Sequence, residues 1–192
     1  DESIDIHVYN QKMFGVETRD IAKRLLYGIA YGCGALKAGT IIDPNEKDEI
    51  VLRNLGSAAI NSFMKGIPAL KKLKDKIANN IAARGYLIGL DGRPLFCRSD
   101  FKGLNVLLQS SGALIMKQVV IELHKKMYDL GYFYGHDWQQ HGFIHDEIQV
   151  SCAPAMVETL TAVALEAFPA SQQFFGFQCP IHGDAHVGYS WD

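Results

Sequence analysis

Apolar residues recur at helical spacing from Thr18 to about Leu36, where Leu25, Leu26 and Ile29 form a stripe, so a helix is expected there. Thr18 suits its N-cap, while Gly28, Gly32 and Gly34 weaken its second half. A second helix is expected from about Asn45 to Met64, after the Asp43-Pro44 start signal, and a third from Pro68 to Arg84, with Gly85 as its stop. The run Tyr86 to Cys97 reads as a hairpin turning at Asp91-Gly92. A long helix from about Lys102 to Leu130, a strand pair around Phe143–Ser151 and a helix from about Pro154 to Phe168 follow. The rest is a tail rich in Gly, Phe and His, and there is no internal repeat or low-complexity tract. A helical first half and a mixed second half make an α+β fold, with a helical lobe packed on a small antiparallel sheet.

Composition supports a packed core. Of 192 residues, 48% are hydrophobic and 21% charged, which excludes a disordered, collagen-like or coiled-coil chain. Apolar stretches such as 25–30 and 104–108, the latter interrupted by Asn105, fall far short of the ~20 residues that cross a bilayer, and no signal-peptide pattern opens the chain. A soluble, intracellular protein with no membrane partner is expected. Cys33, Cys97, Cys152 and Cys179 are widely spaced, which points to buried free thiols rather than a zinc knuckle or a disulfide framework.

The net charge of −2 conceals a segregation. Residues 65–102 hold nine Lys or Arg against three acids, a net of +6, whereas residues 103–192 hold three Lys against nine acids, a net of −6. Such asymmetry suits a phosphate-facing surface beside an acidic one, and it equally suits solvated helix faces.

Two constellations carry candidate chemistry. On the first helix Arg19, Lys23, Tyr27 and Tyr31 follow one another at steps of four, each step advancing only about 40°, so they form one stripe roughly 18 Å long. Two cations followed by two rings match a nucleotide, polyphosphate on the cations and sugar and base on the rings. A solvated basic face whose tyrosines cap the core would give the same spacing. The second is Ile144-His145-Asp146-Glu147-Ile148-Gln149-Val150, which places acids at a tight connection between two strands. Carboxylates held there suit Mg²⁺, which takes one or two of them plus phosphate oxygens; an ordinary solvated turn is the other reading. No G-x-x-x-x-G-K-[ST], G-x-S-x-G or H-E-x-x-H occurs, so P-loop, nucleophile-elbow and zinc-hydrolase chemistry are set aside.

In order and spacing these motifs resemble the C-terminal part of the family A DNA polymerases, the DNA polymerase I class, and most closely the phage replicative type. Arg19, Lys23, Tyr27, Gly28, Tyr31 and Gly32 resemble that family's fingers-helix pattern R-x-x-x-K-x-x-x-[FY]-G-x-x-Y-G. His145-Asp146-Glu147 resembles its second catalytic carboxylate motif, Leu90-Asp91-Gly92-Arg93 its G-R hairpin, and Asn105 with Leu108-Gln109-Ser110-Ser111-Gly112-Ala113 its long palm helix. Asp5-Ile6-His7 matches the D-I-H that precedes the fingers helix.

The resemblance implies a fingers segment over residues 1–84, with the nucleotide-binding helix at 18–36, and the second half of a palm over 85–192, with its carboxylates at 145–147. The implied activity is template-directed DNA synthesis, the transfer of deoxynucleotidyl groups from dNTPs to a primer 3′-hydroxyl by a two-metal mechanism. Arg19 and His7 would bind the outer phosphates of the dNTP, and Lys23 the phosphate under attack, where it would also protonate the leaving pyrophosphate. Tyr27 would stack near the sugar, a Tyr there being associated in this family with poor exclusion of dideoxynucleotides. Tyr31 and Gly32 would lie at the templating base. Asp146 would ligate Mg²⁺ with Glu147 in support, and His145 would contact the primer end. Arg93, Asn105 and Gln109 would touch duplex DNA, Gln109 in the minor groove, where acceptors common to all base pairs allow sequence-independent checking.

One departure matters. The family's first catalytic carboxylate comes from a D-x-S-x-x-E type motif upstream of D-I-H, and nothing here reproduces it; Asp1, Glu2 and Asp5 are the nearest acids and poor substitutes. The expectation is therefore a partial polymerase, a split-gene product or a piece of a longer chain, inactive until an N-terminal polymerase segment completes it. Its partners would be that segment, primer-template DNA and dNTPs, in the cytoplasm of a bacterial or phage-infected cell. The alternative is a non-catalytic nucleotide- or nucleic-acid-binding module derived from a polymerase core, which the intact Asp146, Lys23 and Arg19 disfavour.

Overall fold

A computed structural model describes residues 5–190. The order is α1 (Ile6–Phe14), α2 (Arg19–Ala30), α3 (Ala35–Ile42), α4 (Glu49–Gly66), α5 (Pro68–Arg84), the hairpin β1 (Tyr86–Ile88) and β2 (Pro94–Phe96), α6 (Gly103–Asp129), the hairpin β3 (Trp138–Ile144) and β4 (Glu147–Cys152), and α7 (Val157–Phe175). Both sheets are two-stranded and antiparallel, and the fold is α+β. The chain divides into two compact units, residues 1–108 and 109–192. That division follows packing density and is a different partition from the expected segments 1–84 and 85–192.

In the first unit the expected helix 18–36 is two helices. α2 starts where Thr18 Oγ1 accepts from Ile21 N at 3.2 Å, and it ends at Tyr31. Gly32 then takes a left-handed φ of 81°, and a Cβ there would clash with the Phe101 carbonyl, so the break serves a close approach between distant segments. α3 restarts at Ala35 and packs on α4 through glycines. A Cβ at Gly39 would collide with the Leu52 backbone and one at Gly56 with the Ala35 carbonyl. Leu25, Ile29, Ala38, Ala59 and Phe63 form the core, where Phe63 stacks on Phe14 with centroids 4.5 Å apart.

α4 begins at Glu49 rather than near Asn45. Asp43 Oδ1 accepts from Asn45 N and Glu46 N, and Glu46 Oε1 from Lys47 N and Asp48 N, so these residues form a turn before the Asp48 cap. α5 has the expected bounds, with Pro68 in its first turn and Gly85 left-handed at its end. Its inner face, Ile77 and Ile81, packs with Leu87 of the hairpin and Leu104 of α6, while Lys71, Lys72 and Lys76 stay exposed. In the hairpin Gly92 has a φ of 82° and its N–H donates to Gly89 O.

The second unit is centred on Val119, Leu123 and Met127 of α6, Leu160, Val163 and Ala167 of α7, and Trp138 of β3, with Ile148 and Val150 of β4 against them. The strand pair is longer than expected, and α7 runs seven residues past Phe168, through the exposed Pro169. Beyond Pro169 the helix is held by Ser171, fully buried, whose Oγ donates to Ile115 O at 3.1 Å. The thiols also differ from expectation: Cys33, Cys97 and Cys152 are half-buried and Cys179 is exposed, all of them free.

The stretch Asp100–Asp129 is, among the described residues, one helix long and apolar enough to cross a membrane by length and composition, which the continuous-run reading of the sequence overlooked. Some of its apolar side chains serve packing, Leu104 and Leu107 in one core and Val119, Leu123 and Met127 in the other, while Leu108 and Ile121 are exposed.

Candidate nucleotide and catalytic site

The face expected on α2 is present. Ala22, Leu25 and Ile29 are buried beneath it, whereas Arg19, Lys23 and Tyr27 on the helix and Tyr31 at its C-cap are exposed. The Tyr27 and Tyr31 rings lie 6.5 Å apart at an interplanar angle of 19°. Lys23 has no ion pair or hydrogen bond among the described residues, so its ammonium is available to an anion.

α1, which the sequence pattern did not disclose, completes this face. Asp5 is its N-cap, Oδ1 accepting from His7 N at 2.8 Å and Val8 N at 3.3 Å. Asp5 Oδ2 accepts from Arg19 Nε at 2.7 Å. The Arg19 hydrogen bond, ahead of the amide bonds from His7 and Val8, holds the Asp5 carboxyl below its usual range against a smaller desolvation effect. His7 lies 6.2 Å from Tyr27 between ring centroids, and its buried Nδ1 finds no hydrogen-bond partner among the described residues. Asp5, His7, Arg19, Tyr27 and Tyr31 are thus brought together, with Lys23 on the same face. Asp1 and Glu2 lie outside the described residues.

The glycines of this motif serve the chain's own packing. Gly32 admits the Phe101 carbonyl, and a Cβ at Gly28 would press on Cys33 Sγ at 3.0 Å. Also in the first unit, Arg93 pairs with Asp91 across the hairpin turn at 3.2 Å, and Asn105, in the first turn of α6, buries an Oδ1 with no partner among the described residues. Gln109, which falls in the second unit, is exposed on α6.

In the second unit Ile144 pairs with Glu147, so His145 and Asp146 form a two-residue hairpin loop. His145 has a φ of 56°, the one positive value at a non-glycine among the described residues. Two-residue loops favour a positive first φ because it matches the twist of the strands, and a histidine there carries strain that glycine would not. Glu147 Oε1 accepts from Gln149 Nε2 at 2.9 Å, whereas the exposed Asp146 carboxylate has no partner among the described residues. A register shift between Gln140 and Gly142 sets His141 beside the ladder, its Nε2 2.7 Å from Ser151 Oγ.

Among the described residues no three or more His, Cys, Asp or Glu gather as a metal cluster. Asp146 still fits a hard cation, being an unpartnered carboxylate on a fixed turn, and it offers one side of a site. Burial raises the Cys33 and Cys97 thiols above their usual range, which disfavours the thiolate at those two positions. Two clefts of about 310 Å³, one lined by Leu73, Ile77 and Arg84 and the other by His124, Tyr134 and Trp138, contain none of the expected site residues. The candidate features are an open face in the first unit and, separately, an exposed turn in the second.

The family model for DNA polymerase family A matches residues 1–192. The chain is 31% identical over 204 residues to the DNA-directed DNA polymerase of Enterobacteria phage T3. It is 30% identical over 207 residues to that of Escherichia phage T7. Each match takes in 97% of this chain and 28% of the relative, so the chain spans little more than a quarter of their length. Its fold is also like that of the POL domain of Pol1 from M. smegmatis, a complex with DNA primer-template and dNTP. That likeness has a TM-score of 0.73 at 17% identity, over 89% of this chain and 32% of that one.

Proposed function

The chain belongs to DNA polymerase family A, and from that membership we propose that it carries the dNTP-binding face and one catalytic carboxylate of a template-directed DNA polymerase. The observation that carries the reading is the exposed cation, cation, ring, ring face of α2, backed by core and bordered by His7.

In this reading Arg19 and His7 hold the outer phosphates. Arg19 has its Nε occupied by Asp5 and keeps its Nη donors for a phosphate, and the His7 imidazole borders the same face beside Tyr27. Lys23, one turn along, meets the phosphate under attack and gives a proton to the departing pyrophosphate. Tyr27 packs on the sugar, and Tyr31 with Gly32 borders the templating base. Arg93, Asn105 and Gln109 contact the duplex, and His145 the primer end.

Asp146, with Glu147 in support, is the Mg²⁺ ligand of the proposal, and the bound ions would align the primer hydroxyl and neutralise charge on the transferring phosphate. A second carboxylate is required opposite Asp146, and an N-terminal polymerase segment, in the same protein or a separate subunit, would supply it.

The test is primer extension with Mg²⁺. The 192-residue chain is expected to extend no primer alone, and to do so when a segment bearing the D-x-S-x-x-E motif is added. Robust extension by the chain alone would overturn the need for a second carboxylate. Extension by the completed enzyme carrying Asp146→Ala would overturn the role of Asp146.

A further inference from the structure

We propose that Asp5 is the positioning residue of the nucleotide face, one carboxylate that seats His7 and aims the Arg19 guanidinium so that both meet the same triphosphate. The inference rests on the reading of α2 as the triphosphate face.

The two oxygens of Asp5 do different things. Oδ1 fixes the start of α1 by accepting from His7 N and Val8 N, which sets where the His7 ring leaves the backbone. Oδ2 takes Arg19 Nε at 2.7 Å, across 14 residues of sequence and from a different helix. An arginine gripped at Nε has a fixed guanidinium plane and presents its remaining N–H groups on the other edge, the geometry that takes a phosphate bidentately. Released, the same side chain would sample many rotamers and surrender that freedom on binding. Asp5 and Arg19 are 41% and 51% exposed, so the pair is open to a ligand. His7 in turn lies against Tyr27, two turns along α2 from Arg19, so one carboxylate ties together the residues assigned to phosphates and sugar.

The experiment is equilibrium binding of a dNTP to the 192-residue chain, for wild type, Asp5→Asn, Asp5→Ser, Arg19→Ala and Asp5→Asn/Arg19→Ala. Asn and Ser are good N-caps, so both single changes keep α1 while removing the charge that grips Arg19. Hydrogen exchange of the α1 amides, unchanged in both, verifies this. Asp5→Asn and Asp5→Ser are expected to weaken binding about fivefold each, and Asp5→Asn to add nothing once Arg19 is Ala. Unchanged or tighter binding by Asp5→Asn, with Arg19→Ala still weakening it, would overturn the role of Asp5 and leave the triphosphate reading standing. An equal loss from Asp5→Asn with and without Arg19 would show action by another route and overturn it too. If Arg19→Ala itself left binding unchanged, the triphosphate reading would fall and the Asp5 role with it.

Discussion

On α2 the residues assigned to the nucleotide stand on a helix whose opposite side is buried, with Arg19 paired to Asp5 at the cap of α1 and Tyr27 beside His7; on the β3–β4 turn His145 and Asp146 have no side-chain partner among the described residues. On the proposed reading the contrast follows from what each region would bind. A face for a polyanion can be built from cations held by their own neighbours, because arginine has donors to spare. A carboxylate that is to hold a metal ion must keep its oxygens unspent, and Asp146 stands on a two-residue loop with a strained histidine before it, as the proposal requires. On that reading the first region is preorganised by its own neighbours, and the proposed N-terminal segment would complete the second.

That contrast can be broken in several ways. Asp146→Ala is expected to have the largest effect, a loss of about 10³-fold or more in primer extension by the completed enzyme with dNTP binding to α2 unchanged. Lys23→Ala is expected to lower kcat by about 10²-fold, since proton donation to the leaving group acts in the transition state, and single-turnover kinetics would read it. Gly39→Ala tests the scaffold beneath the face: its Cβ would strike the Leu52 backbone, at a cost of about 2–3 kcal/mol in denaturant unfolding.

The Asp5–Arg19 pair gives a smaller, pH-dependent effect. Because the Asp5 carboxyl is held below its usual range in the folded chain, its contribution is present above the unfolded pKa and lost as pH falls through the folded value. Acid titration followed by circular dichroism should therefore show wild type and Asp5→Asn converging at the acid end. Smallest of all, His145→Gly should leave stability unchanged or raise it by about 0.5 kcal/mol, by relieving the positive φ, while lowering primer extension.

What the sequence disclosed was whatever is local. Pro68 and Gly85 mark both ends of α5, Thr18 marks the start of α2, and the step of four from Arg19 to Tyr31 marks its outward face, because capping and helical periodicity are properties of neighbouring residues. The end of α2 was not legible, since it depends on Gly32 meeting Phe101, nor was the turn at 43–48 that delays α4. Pro169 reads as a helix breaker, yet α7 continues because Ser171 is anchored from α6. In the site, His145-Asp146 was legible as a tight loop, while the Asp5–Arg19 pair joins two helices and left no periodic trace.

The most direct test of the account is a dNTP titration of the 192-residue chain followed by side-chain nuclear magnetic resonance. Shifts confined to His7, Arg19, Lys23 and Tyr27 are expected, with the exposed lysines of α5 unmoved. Shifts at Lys71, Lys72 and Lys76 with Arg19 and Lys23 unmoved would contradict it.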